Sequence, residues 1–155
     1  MARARQKPVT PDQRIRDLRK EYRGFDKEDP GPERAARLAV FTRAAHAERQ
    51  VNLAMQTAAM CLADDPDDPA LLLSAYADAD ETLEERMHAL GDLRDLARYI
   101  DRPDIGTTAE QLQIDTARAW VAAADEGERR YRLRSVQSAT SREIADQLRD
   151  ELGEI

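Results

Sequence analysis

The chain is short of the residues that staple small folds and that do most catalytic chemistry. Its 155 residues include one cysteine, Cys61, and two histidines, His46 and His88. A lone cysteine excludes an internal disulfide and fits a reducing compartment, so a cytoplasmic location is expected. Glycine occurs six times and aromatic residues make up 5%. No stretch shows the period-2 alternation of strands, and β-formers are outnumbered by Ala, Leu, Arg and Glu, which favour helix. No run of eighteen apolar residues occurs, so no membrane span is expected. The basic start, Met1-Ala2-Arg3-Ala4-Arg5, is not followed by an apolar stretch, so no secretory signal is expected. Lysine is rare, at Lys7, Lys20 and Lys27 only. The excess of Arg, Ala and Asp suits a GC-rich, bacterial coding sequence.

Apolar residues make up 41% of the chain and charged residues 35%, the balance of amphipathic helices with solvated outer faces. The expected fold is all-α: an antiparallel four- or five-helix bundle with a long central second helix and a flexible basic N-terminal arm. Residues 1–24, arm plus short first helix, hold eight basic and three acidic residues. Residues 25–155, read as a single bundle domain, hold sixteen basic and twenty-eight acidic residues. The net charge of −7 therefore hides a basic arm on an acidic body.

Thr10 and Pro11 supply an N-cap and a first helical residue, Ile15, Leu18 and Tyr22 an apolar stripe, and Gly24 an end. Residues 25–31 read as a linker. Pro32 opens a second helix expected to reach Ala63, with ten of the thirteen residues Val51–Ala63 apolar. A helix apolar on most sides needs covering on most sides. Asn52, Gln56 and Thr57 interrupt that apolar run, as a buried polar layer or as an exposed strip. Asp64–Pro69 reads as a connection, with Asp68 capping a third helix that ends near Ile100. A break at 101–106 and the capping-box pattern Thr107–Glu110 lead into a fourth helix ending near Arg134. Ser141 and Glu143 mark a fifth helix lined by Ile144, Leu148 and Leu152, continuous with the fourth if the intervening residues stay helical. No internal repeat stands out.

Chemistry-bearing patterns are few. Glu85 and His88 have the Glu-x-x-His spacing used by di-iron bundles, and Glu48 could add a carboxylate, but such a site needs more ligands than the chain offers. The outer stripe Glu81, Glu85, His88, Asp92 and Asp95 reads as a solvated acidic face. Cys61 sits among Ala, Met and Leu, a setting that raises a thiol pKa. The phosphate-binding, nucleophile-elbow and zinc-protease motifs are all missing. No catalytic residue and no cofactor is therefore expected.

The leading expectation is a non-enzymatic helical interaction or assembly protein, a homo-oligomer or an adaptor for another protein. Its interface is expected at Val51, Asn52, Met55, Ile144, Leu148 and Leu152. One alternative is a plasmid or phage nucleic-acid accessory protein that neutralises phosphates with Arg3, Arg5, Lys7, Arg14, Arg16, Arg19, Lys20 and Arg23. The other is a ferritin-like metal-binding bundle around Glu48, Glu85 and His88.

Overall fold

The computed structural model describes residues 10–65, 69–78 and 81–152, and these residues are all-helical. Eight helices occur among them: α1 (Pro11–Phe25), α2 (Pro32–Ala47), α3 (Val51–Asp64), α4 (Ala70–Tyr76), α5 (Leu83–Tyr99), α6 (Pro103–Ala122), α7 (Glu126–Ala139) and α8 (Arg142–Glu151). None of the described helices is long and apolar enough to cross a membrane. The chain divides into two compact units, Met1–Asp68 and Pro69–Ile155.

The long second helix expected from the sequence is instead a hairpin. α2 stops at Ala47, and Arg49 turns the chain in the left-handed region at φ 62°. The Gln50 N–H donates to the Ala45 carbonyl at 2.9 Å and the Arg49 N–H to the His46 carbonyl at 3.0 Å. This is the Schellman closure, built on arginine rather than glycine. Folding α3 back onto α2 covers by an intramolecular contact part of what a straight helix would have left for a partner. Ala35, Leu38, Ala39, Phe41 and Ala45 of α2 face Ala54, Ala58, Cys61 and Leu62 of α3, all buried.

α1 completes the first unit. Thr10 Oγ1 accepts from the Gln13 N–H at 3.1 Å, and Pro11 occupies the first turn. The helix runs through Gly24 to Phe25, whose ring meets that of Phe41 edge-on at 5.4 Å. The Tyr22 ring lies 6.5 Å from the same ring, and its hydroxyl donates to Gln56 Oε1 at 2.7 Å.

The second unit repeats the hairpin. α5 ends at Tyr99, Asp101 takes φ 56°, and the Arg102 N–H donates to the Ala97 carbonyl at 2.8 Å. Counting back four, eight and eleven residues from the left-handed residue gives Ala45, Phe41 and Leu38 in one unit. The same count gives Ala97, Leu93 and Leu90 in the other, and all six are buried. The third expected helix is broken, since α4 ends at Tyr76 and Thr82 caps α5 by accepting from the Glu85 N–H at 3.1 Å. α6 begins at Pro103 rather than at Thr107, so Thr107–Glu110 lies inside a helix and caps nothing. The fourth expected helix also breaks, where Asp125 Oδ1 accepts from the Glu128 N–H at 2.9 Å to start α7. Ser141 caps α8 as expected, its hydroxyl accepting from the Ile144 N–H at 3.2 Å. α7 and α8 meet α6 in a core of Met87, Ala117, Trp120, Val121, Leu133, Val136, Ala145 and Leu148.

Candidate interaction surfaces

The buried threonines, the Arg34–Asp64 pair, Cys61 and Gln113 go to structural use, while Arg129 Nε is buried without a hydrogen-bond partner among the described residues. In the first unit Thr42 and Thr57 place their hydroxyls 2.8 Å apart between α2 and α3; one donates across the pair, and the other donates to the carbonyl one turn back in its own helix. Of the three polar residues that interrupt α3, Thr57 thus forms a buried layer within the hairpin. Asn52 and Gln56 are exposed. At the open end of the hairpin Arg34 holds both carboxylate oxygens of Asp64, at 2.7 and 2.8 Å, and also donates to the carbonyls of Phe25 and Glu28. Both side chains are largely buried. The Arg34 hydrogen bond holds the Asp64 carboxyl below the usual range despite the opposing effect of burial. The Cys61 thiol donates to the Ala35 carbonyl at 3.2 Å, and burial pushes its pKa up to about 11. A thiol so placed stays protonated at neutral pH and is no nucleophile.

In the second unit one amide does comparable work. Gln113 is fully buried, and its Nε2 donates to the carbonyls of Met87 at 3.0 Å and Ala139 at 3.3 Å. Arg94 reaches its Oε1 at 3.4 Å. Gln113 therefore ties α5, α6 and the end of α7 together. Gly91 makes this possible: a Cβ there would sit 2.8 Å from Gln113 Nε2. Arg132 lies 5.1 Å over the Trp120 ring and donates to the Trp120 carbonyl, one of the otherwise orphaned acceptors at the end of α6.

The expected metal ligands do not gather. Glu48 is the ion-pair partner of Arg14 at 2.7 Å, and Glu85 and His88 are exposed on α5. Among the described residues no three His, Cys, Asp or Glu side chains are grouped to hold an ion. The expected C-terminal interface is spent within its own unit. Leu148 is fully buried in the core there, and Ile144 and Leu152 pack partly buried against it. Val51 and Met55 are half-buried and Asn52 is exposed.

Two surfaces remain open in the first unit. The first is the outer face of α2, where Ala36, Val40, Ala44 and Ala47 are exposed at successive turns, Val40 to 66%. α2 thus carries apolar residues on its outer side as well as on its core side. The second is the outer face of α1. Leu18 and Phe25 point inward, which places Arg16, Arg19, Lys20 and Arg23 together on the opposite side, all exposed. Arg14 lies apart from them, beside Glu48. Arg3, Arg5 and Lys7 of the expected phosphate-binding set lie outside the described residues. Arg49, which sequence reasoning passed over, lines a shallow cleft with Arg19, Gln50 and Asn52. Its signal was hidden because nothing in the sequence announced a turn there.

No protein-family model matches the chain, and no curated protein and no solved structure matches it either.

Proposed function

We propose that the protein is a non-enzymatic assembly protein that pairs with a second copy of itself through the outer face of α2. The observation that carries this reading is the exposed stripe Ala36, Val40, Ala44 and Ala47 on a helix whose other side already fills the core. Small side chains at four- and three-residue spacing let two helix backbones approach closely, so dispersion contacts accumulate along the whole face. A two-fold interface uses the same patch on both copies, and an apolar stripe is complementary to itself. Glu33, Arg37 and Arg43 border it with both signs of charge, so no single-sign field opposes pairing. The site chemistry supports a non-catalytic role, because the thiol and the buried carboxylate are held by structural partners.

The test is molar mass in solution by light scattering over a hundredfold range of concentration. The expected outcome is a concentration-dependent dimer of the 17.5 kDa chain that Val40→Glu returns to monomer with unchanged helicity. A wild-type protein that stays monomeric throughout overturns the reading. So does a dimer indifferent to Val40→Glu.

A further inference from the structure

The chain has 31 acidic residues against 24 basic ones, so carboxylates are plentiful. Most of the arginines described with partners use them: Arg14, Arg34, Arg37, Arg102, Arg118 and Arg132 all sit in ion pairs. Arg19, Lys20 and Arg23 on α1 and Arg49 at the hairpin turn form no ion pair among the described residues, a state they share with Arg98, Arg130 and Arg134. What sets them apart is that four cations of α1 share one helix face and Arg49 lines a cleft with Arg19. Arg16 joins them on the same helix face, its guanidinium held by the Gln13 amide oxygen at 2.9 Å. Positions 16, 19, 20 and 23 follow the one-face spacing of a helix, and Asp12 is the one acidic residue on that arc. Asp17 and Glu21 fall on the other flank.

We infer that this stripe, extended by Arg49, is a docking surface for the phosphate backbone of a nucleic-acid duplex, bound without sequence preference. From residue 16 to residue 23 a helix rises about 10 Å, a length over which a duplex presents roughly six phosphate charges. Each cation therefore has a phosphate within reach. The cleft beside the stripe adds the Gln50 and Asn52 amides, which can hydrogen-bond phosphate oxygens. A single strand is disfavoured because no exposed ring accompanies the stripe: Phe25 is buried and the Tyr22 ring packs toward Phe41. An anionic bilayer is disfavoured because the apolar residues of α1 turn inward, leaving no wedge beside the cations to enter the acyl boundary. The acidic remainder of the chain repels the same ligand and so confines contact to this face. This surface is separate from the α2 stripe, and the inference does not rest on self-pairing.

The test uses the full chain and fluorescence anisotropy with a labelled 20-base-pair duplex, a single strand of equal length, and phosphatidylserine vesicles. At low salt the wild type should bind the duplex best, with an affinity that falls by about 0.9 logarithmic unit per contacted phosphate for each tenfold rise in salt. R19Q/K20Q/R23Q should weaken duplex binding at least tenfold and reduce that slope by roughly two to three units. R49Q should act in the same direction more weakly. R130Q/R134Q, two exposed cations of α7, removes charge elsewhere and should leave binding as it was. The inference is overturned if the wild type ignores the duplex at low salt, or if both stripe variants bind as tightly as wild type. It is equally overturned if the α7 control weakens binding as much as the stripe variant, or if vesicles or the single strand bind better than the duplex.

Discussion

In the first unit α2 and α3 meet through Leu38, Phe41, Leu62 and several alanines, a pair of threonine hydroxyls and, at the open end, an arginine with an aspartate. In the second, α5 and α6 meet through Leu90, Leu93, Ile105 and Ala109, with one long amide carrying the polar contact. Both hairpins close with the same three-residue turn on a left-handed residue. The turn therefore fixes the geometry, and the filling is free to differ. The first unit divides its polar bonds into short pairs that can fail one at a time. The second places them on Gln113, which three helices share. The first unit also leaves the outer faces of α2 and α1, one apolar and one cationic, uncovered.

If the turn defines equivalent positions, Leu38 and Leu90 should respond alike. Each is fully buried, and replacement of either by alanine should lower the unfolding free energy by about 2–5 kcal/mol in urea titrations. A loss below about 1 kcal/mol at one site only would break the equivalence. Next in size, Gly91→Ala should destabilise the second unit by about 1–3 kcal/mol, because the new methyl lands on the Gln113 amide. Gln113→Ala should be less harmful in that background than alone, and strict additivity would refute the shared-space account.

The Arg34–Asp64 pair makes the first unit acid-sensitive. The folded pKa of Asp64 lies below its unfolded value, so its contribution is present above the ordinary carboxylate pKa of about 3.9. That contribution is lost as pH falls through the folded value. Wild type should therefore exceed Asp64→Asn in stability at pH 7, and the gap should narrow steadily below pH 4. A gap independent of pH would mean the ion pair is not its source. Thr57→Val removes one hydroxyl of the inter-helix pair and should cost about 0.5–1.5 kcal/mol, since the Thr42 hydroxyl can then donate to the Leu38 carbonyl. Smallest of all, Arg49→Gly should raise stability by about 0.5–1 kcal/mol, because a side chain in the left-handed region is strained. Asp101→Gly should gain less, since aspartate tolerates that region better. A reversed order in thermal melts would show that the two turns are not alike.

The helical character of the chain was legible in its residues, as were the caps at Thr10 and Ser141. The breaks were less so, and each for a reason. At 48–50 the chain turns on Arg49 with neither glycine nor proline, so periodicity ran straight through. Thr82 with Glu85, and Asp125 with Glu128, both carried capping spacing, but each was embedded in a longer apolar pattern that argued for continuity. Thr107–Glu110 had the same spacing and is mid-helix, because Pro103 had already started the helix. Local signals of this kind compete, and tertiary packing decides among them. The basic stripe could be read in part, since positions 16, 19, 20 and 23 share a face in any helix. Arg49 could join it only after the hairpin was known. The C-terminal stripe Ile144, Leu148 and Leu152 was correctly read as apolar. Sequence alone gave no way to tell that its cover lies within the same unit.

The contact between Gly91 and Gln113 also sets a rule of inheritance. The two positions lie on different helices, yet a side chain at 91 would meet the end of the Gln113 side chain. In descendants of this chain a side chain at 91 should be favoured together with a shorter residue at 113. That pairing would be a marker for the second unit in any sequence too diverged to align by its leucines.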